Sequence, residues 1–421
     1  MIVTIICHGL PNTYSEQANC DPFLYLKEFK KRKISINIIS IFEERYNTSN
    51  IKKNVQKNFL KKNFHNIKKI SIINIKNKNF FQKIKYFILR FFFLRPHFFF
   101  GNKEVFVSFA KEINETKSDF YINFYDLPII FSGFHKKKFI CFNIFGINRK
   151  QSEVLRIKNL LRFGFIKNFL QITNSLIYIL KISSLYKKSA NKSILNLCPG
   201  YDTYKYLKKI GIKNVIYTKP LSKDLSSIKK VKKSTIIVLL IGNLYSNIMQ
   251  DSLNLLAYGL IARLKKIHEK VKFQIRIVGK FKPKSDIKKK LDYNWIKFVG
   301  WVKNSNKEYA RADYLFAPNS YSLSPRTKII EAMSCGTIVI SSKENINGIY
   351  NDINSKKDLI VAKNNNDFCR QFESIIKDKN KQKYISSNAK KKYKKSYDPK
   401  KIIKNNINIM LSKFYAETKN Y

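Results

Sequence analysis

Apolar residues come in short runs separated by mixed helical segments, and that rhythm recurs along the whole chain. IVTIICHGLP opens as a β-rich run closed by a Gly-Pro loop. FLYLKEFKK follows, with Leu26 and Phe29 on one helical face and cations where a helix C-terminus prefers them. ISINIISIF then reads as a second strand. Strand, helix, strand at this spacing predicts a βαβ unit with parallel strands. SDFYINFYDLPII and KKFICFNIFG supply two more strand candidates, and a long helical region is expected over 152–188. ILNLCPG and DTYKYLKKIG predict a strand, a turn and a helix, with Asp202 or Thr203 near its N-cap and Gly211 closing it. NVIYTKPL is a last short strand.

A charged, strand-poor stretch, SKDLSSIKKVKKS, separates this half from the next. The pattern then restarts with TIIVLLIGNL, a continuous apolar run of the kind a strand covered on both faces requires. DSLNLLAYGLIARLKKIHEK is an amphipathic helix with Asp251 at its start. FQIRIVGKF and IKFVGWV are strands, NSNKEYARAD a short helix and YLFAPNS a strand. RTKIIEAMSCG predicts a helix ended by Gly336, and TIVISS a strand. The tail reads as helical, interrupted at Tyr397-Asp398-Pro399. The fold class is therefore α/β. At 421 residues the chain is too long for one core, which predicts two domains. Their expected extents are 1–221 and 222–390, with a helical tail over 391–421.

Charge adds a partner question. Lys and Arg number 82 against 28 Asp and Glu, a formal net charge of +54. Such an excess suits an anionic partner: nucleic acid, a membrane surface or a phosphorylated substrate. It equally suits compositional drift, because the excess is mostly Lys alongside abundant Asn and Ile. The six cysteines are scattered, form no C-x-x-C pair and have no His cluster beside them. No zinc site or disulfide framework is expected, and a reducing compartment is. The N-terminus has no basic region ahead of its short apolar run, so it reads as a buried strand rather than a signal peptide.

The stretch SPRTKIIEAMSCGTIVISS, residues 324–342, departs from the Lys/Asn/Ile/Phe monotony. A helix starting near Pro325 offers free N–H groups and a positive dipole end, a ready anion site. Arg326 can fork onto a phosphate. Lys328 and Glu331 stand at i, i+3 on one face, and a carboxylate at 331 can accept both hydroxyls of a ribose. Read alone, Glu331 fits an ordinary ion pair with Lys328 as well. Gly242, Gly279 and Gly300 fall at strand ends, where open α/β sheets bind ligands, although plain turns would place glycine there too.

The pattern R-x-K-x-x-E-A-M-x-C-G before a β-run resembles the donor-binding segment of GT-B-fold glycosyltransferases of the group 1 type (glycosyltransferase family 4). TIIVLLIGNL, RIVGKF, KFVGWV and EYARADYLFAPNS resemble the family's signatures in order. SNAKKKYKKSYDPKKIIKNNINIMLSKFY resembles its closing helices. The resemblance implies two Rossmann-like domains facing each other across a cleft, with C-terminal helices crossing back. It implies a retaining hexosyltransferase moving a sugar from a nucleotide-diphosphate donor to a polysaccharide or glycolipid acceptor, and with no D-x-D motif at a strand end the reaction is expected to be metal-independent. The sugar nucleotide is a substrate, and no cofactor or metal is expected. The implied donor site comprises Gly242, Asn243, Gly279, Gly300, Trp301, Val302, Ser324, Arg326 and Glu331. Arg326 and Lys328 would stabilise the departing diphosphate, and Asp126 would orient the acceptor. Leu323 stands where the family commonly has a Glu, Tyr125 lies where many members have a His nearby, and GNLYSNIMQ lacks the usual cations.

The expected setting is the cytoplasm, peripherally on the inner face of a membrane, in cell-surface polysaccharide synthesis and without nucleic acid. A nucleotide-sugar epimerase of the same fold and a non-catalytic protein binding anionic surfaces are the competing readings. His8 reads as a loop histidine or a cleft group, and Asp126 as a turn cap or an acceptor ligand. KYFILRFFFLRPHFFF, residues 85–100, reads either as a buried helix ending at Pro96 or as an interfacial segment for anionic lipid.

Overall fold

In the computed structural model the described residues are 1–11, 17–43, 50–75, 103–124, 139–142, 190–231, 233–244, 246–280, 285–320, 326–349 and 352–419. To these are added single positions between 154 and 188. The runs 85–100 and YDLP, with Asp126 and Tyr125, lie outside them, and so does most of the helical region expected over 152–188. The chain divides into two units. The first comprises 1–199, 203–218 and 400–421, and the second 200–202 and 219–399.

The first unit is built on β1 (Ile2–His8), β2 (Ser35–Glu43), β3 (Ile67–Ile75), β4 (Phe120–Phe124), β5 (Phe139–Phe142), β6 (Leu195–Cys198) and β7 (Val215–Tyr217). They form one sheet in the order β3-β2-β1-β4-β5-β6-β7, and every pairing is parallel. Helices α1 (Gln17–Lys31), α2 (Asn50–Asn63), α3 (Lys103–Glu115) and α4 (Tyr201–Lys209) connect them. Parallel strands buried on both faces need near-continuous apolar sequence. Ile36, Ile38, Ile39 and Ile41 of β2 are buried accordingly, as are Val3, Ile5, Ile6 and Cys7 of β1. Gly211 closes α4 at φ +85°, as its sequence position predicts.

The second unit holds β8 (Ile236–Ile241), β9 (Phe273–Val278), β10 (Ile296–Gly300), β11 (Tyr314–Ala317), β12 (Ile338–Ser342) and β13 (Ile360–Ala362). Their order is β10-β9-β8-β11-β12-β13, again all parallel. The helices are α5 (Asn247–Asn254), α6 (Ile261–Lys270), α7 (Ser285–Lys290), α8 (Asn306–Arg311), α9 (Thr327–Ser334), α10 (Asn365–Lys377) and α11 (Lys379–Ser396). A π-helical stretch, Leu255–Leu260, joins α5 to α6. One apolar layer packs Leu240, Leu253, Phe273, Phe316 and Phe372 on one face of the sheet. The other packs Leu239, Ala317, Ile330, Met333 and Tyr393. The strand order reverses between β8 and β11, and ligands of open α/β sheets bind at such a switch point beyond the strand C-termini.

Two sequence expectations need correction. The helix read as starting at Asp251 begins at Asn247, because Ser246 caps it by accepting from Met249 N at 3.3 Å. Asp251 is used elsewhere: it accepts from Ser320 N at 2.7 Å and Ser320 Oγ at 2.8 Å. The second unit keeps the chain through α11 as far as Pro399, past the expected 390. The last helix, α12 (Pro399–Lys419), then belongs to the first unit. Its Asn406 is fully buried, accepts from Thr218 Oγ1 at 2.7 Å and donates to Tyr25 Oη at 2.8 Å. Phe414 packs its ring 5.0 Å from Phe120.

Asn406→Ala should lower the thermal midpoint, since it removes two buried partners at once. The expected loss is about 1–3 kcal/mol, the cost of leaving a buried donor or acceptor unsatisfied. Asn406→Asp keeps the acceptor for Thr218 but buries a charge, and should be at least as damaging. Thermal melts of the two variants against the parent check this.

Candidate functional site

The carboxyl ends of β8, β9 and β10 converge on three glycines. Gly242 N donates to Val278 O at 3.1 Å, and Gly279 N donates to Gly300 O at 2.8 Å. A Cβ on Gly279 (φ +148°) would overlap the carbonyl oxygen of Gly242, so backbone meets backbone here with no room for a side chain. Gly300 follows the same sheet edge at φ +77°. Asn243 beside them is exposed. Trp301 is 69% exposed, whereas Val302 is partly buried and packs on the core. The strand-end positions predicted from sequence thus gather along one edge of the sheet.

Helix α9 begins at Thr327, with Arg326 as its N-cap residue in an extended conformation. Ser324, Leu323 and Pro325 lie outside the described residues. Arg326 Nε donates to Asn345 Oδ1 at 2.9 Å. Asn345 is fully buried; its amide donates to Ala317 O at 2.5 Å and to Asn319 Oδ1 at 2.8 Å. Asn319 in turn donates to Ile248 O at 2.7 Å. A chain of amides therefore ties the guanidinium to the ends of β11 and α5. Sequence reasoning did not find Asn319 or Asn345, although two polar residues just past strand ends in APNS and SSKEN were the available signal.

Lys328 is partly exposed as a residue, but its ammonium is deep enough that loss of water, with Arg326 nearby, lowers its pKa to about 7. Its Nζ lies 3.3 Å from Met249 Sδ, a weak acceptor. Met249 also fills the space in front of Gly242, where an added Cβ would come within 2.9 Å of the sulfur. Lys328 is thereby placed at the Gly242 turn. Among the described residues no carboxylate forms an ion pair with it.

Glu331, one turn further along α9, does not pair with Lys328. Its Oε2 accepts from Tyr309 Oη at 2.9 Å. Burial raises its pKa, while Tyr309 and the backbone and charge of Lys223 oppose that rise. Ile329, Ile330, Ala332, Met333 and Ser334 of the same helix are buried. Small Ala332 and Ser334 let α9 sit close against its neighbours. A desolvated cation, a guanidinium at a helix start and a desolvated carboxylate are thus aligned along one helix beside three strand-end glycines. That arrangement can hold a polyanion and a diol together. Among the described residues no three His, Cys, Asp or Glu side chains converge, and no helix is long and apolar enough to cross a membrane. Asp126 lies outside the described residues, and the site assembled here is built from residues of the second unit.

Residues 235–378 match the family model described as glycosyl transferases group 1. No curated protein matches the chain by sequence. Solved structures match over nearly its whole length. Sucrose-phosphate synthase from Thermosynechococcus elongatus superposes with a TM-score of 0.67 at 12% identity, covering 99% of both chains. HepE from Anabaena, solved in complex with UDP-glucose, gives 0.64 at 13% identity over 98% of this chain and 100% of its own. A glycosyltransferase from Rickettsia africae gives 0.61 at 13% identity over 98% of each. The chain has the two-domain α/β GT-B fold.

The glycine junction yields a direct test. Gly279→Ala should lower the thermal midpoint by the equivalent of about 1–3 kcal/mol, the range for overpacking and backbone strain. Gly300→Ala has open space around its Cβ and pays only for its positive φ. It should lose less, and equal losses would mean that close approach is not what fixes Gly279.

Proposed function

We propose that the chain is a retaining, metal-independent glycosyltransferase that moves a hexose from a nucleoside diphosphate donor to a polysaccharide or lipid-linked glycan. The observation that carries this reading is the pair of desolvated charges on α9, Lys328 and Glu331, which do not pair with each other. The family match over 235–378 and the sugar-nucleotide complex of HepE support it. Lys328, Arg326 and the first amides of α9 would receive the diphosphate. Glu331 would take the ribose hydroxyls, and the backbone around Gly300, Trp301 and Val302 the base.

Transfer breaks the bond between the sugar's anomeric carbon and the diphosphate oxygen, so negative charge grows on the leaving group. A cation already stripped of water answers that charge without reorganisation. These cations supply what a metal ion otherwise would, which is why the mechanism is read as metal-independent. The setting that fits a strongly basic chain is the cytoplasmic side of an anionic membrane, next to its acceptor.

Calorimetry with UDP, GDP and ADP tests the donor site. Glu331→Ala should weaken the preferred nucleotide by roughly 1.5–3 kcal/mol for each lost charge-assisted hydrogen bond, in a protein that still folds. Unchanged affinity would remove the assignment. Transfer should persist in excess chelator; loss restored by magnesium or manganese would overturn metal independence. A product in which the donor sugar is isomerised rather than transferred would replace the transferase reading with the epimerase.

Lys328 gives a signed pH prediction. With a pKa of about 7 in the free protein, it is mostly neutral at pH 8. An adjacent diphosphate favours the charged form, so binding at pH 8 should take up close to one proton, and affinity should fall as pH rises above 7. Binding heats in two buffers of different ionisation enthalpy measure this. Lys328→Met should abolish the uptake, weaken binding and raise the thermal midpoint at pH 6, because it removes a cation that is costly to bury.

A further inference from the structure

Glu331 carries more support than a ligand contact needs, and the support comes from outside its own helix. We propose that Tyr309 is a positioning residue that keeps Glu331 ionised and its remaining lone pairs free for the donor's ribose diol. The proposal rests on the donor-site reading above.

Tyr309 is 1% exposed and donates to Glu331 Oε2 at 2.9 Å. Burial and the neighbouring carboxylate push its phenol well above the ordinary range, so it acts only as a donor. The backbone and charge of Lys223 also favour the ionised carboxylate. An ionised carboxylate has about four acceptor sites. The Tyr309 donor leaves about three, enough for the two that a vicinal diol would use. The Tyr393 phenol on α11 and the Lys223 ammonium also lie near Glu331, and Asp224 faces Tyr393. Tyr309 and Lys223 are the groups that favour the ionised form.

Tyr309 and Glu331 are themselves fixed. Lys230 Nζ donates to Tyr309 O at 3.0 Å, Ala312 O at 2.7 Å and Thr337 Oγ1 at 2.5 Å, which locks the end of α8. Ser334 Oγ donates to Glu331 O at 2.7 Å and accepts from Leu225 N at 3.2 Å. Lys223, Leu225 and Lys230 all lie in SKDLSSIKKVKKS. The charged stretch between the two halves is thus a brace for the carboxylate.

The test uses the nucleoside diphosphate that binds tightest among UDP, GDP and ADP, titrated calorimetrically from pH 5 to 9. Titration of the nucleotide and of Lys328 is common to all variants, so differences between variants report Glu331. Ionised Glu331 is needed for binding, so affinity should fall on the acid side as its carboxylate takes a proton. Tyr309→Phe removes a donor that favours the ionised form. Its acid midpoint should move up in pH, with affinity at pH 7 reduced about 3- to 10-fold, the range of one hydrogen bond. In a Glu331→Gln background the same change should have no further effect. Site-specific Tyr309→3-fluorotyrosine, nearly isosteric and a stronger donor, should move the midpoint down; it decides the matter if the Phe variant does not fold. A uniform loss with an unmoved midpoint, or an equal loss with and without Glu331, would overturn the proposal. If Glu331→Gln itself binds like the parent, the donor-site reading fails instead.

Discussion

Lys328 and Glu331 stand three residues apart on one helix and are kept from each other. Such a pair on a solvated helix would join and gain a few tenths of a kcal/mol. Here each charge is drawn out of water and given a neutral partner, a thioether for the cation and a phenol for the carboxylate. Both pKa values move toward neutrality as a result, one down and one up. Much of the second unit serves this separation. The glycine junction makes room for Met249, and the amide chain through Asn345 and Asn319 holds the guanidinium at the helix start. The brace from Lys230 and Leu225 holds the other end.

Much of this was legible in the sequence, for reasons that differ along the chain. IIVLLI and TIVISS announce buried parallel strands because no polar residue interrupts them. RTKIIEAMSCG announces a capped helix because its small residues and closing Gly have few alternative uses. The β3 strand and the helix before it were not read, because KKISIINI and KKNVQKNFLKKN share one Lys/Asn background that blurs both periods. Lys68 and Lys69 lie within β3 and dilute its apolar signal, and Lys69 is spent on an ion pair with Glu112 of α3 at 2.6 Å.

The partners of the site residues were less legible than the residues. Tyr309 is 22 positions from Glu331, and Asn345 is 19 from Arg326. No local spacing rule connects such pairs; parallel β-strands do, by returning each loop to the same edge of the sheet. The charged stretch at 222–234 conceals its contacts for a related reason. Its lysines look like those of any solvated linker, yet Lys230 ends on three oxygens inside the unit. Lysines of this chain serve both as internal braces, like Lys230, and as solvent-facing surface.

The excursion of the chain through the second unit between Thr218 and Lys400 sets an order on synthesis. Residues 219–399 are nearly contiguous in sequence, so that unit can complete its sheet as soon as they clear the ribosome. The first unit has all seven strands by Tyr217, yet Asn406 and Phe414, which occupy its core, emerge some 190 residues later. For that interval Tyr25, Phe120 and Thr218 await their partners with apolar surface uncovered. The earliest-made half of the molecule is therefore the last to close, and it spends longest at risk of capture by chaperones or by another nascent chain.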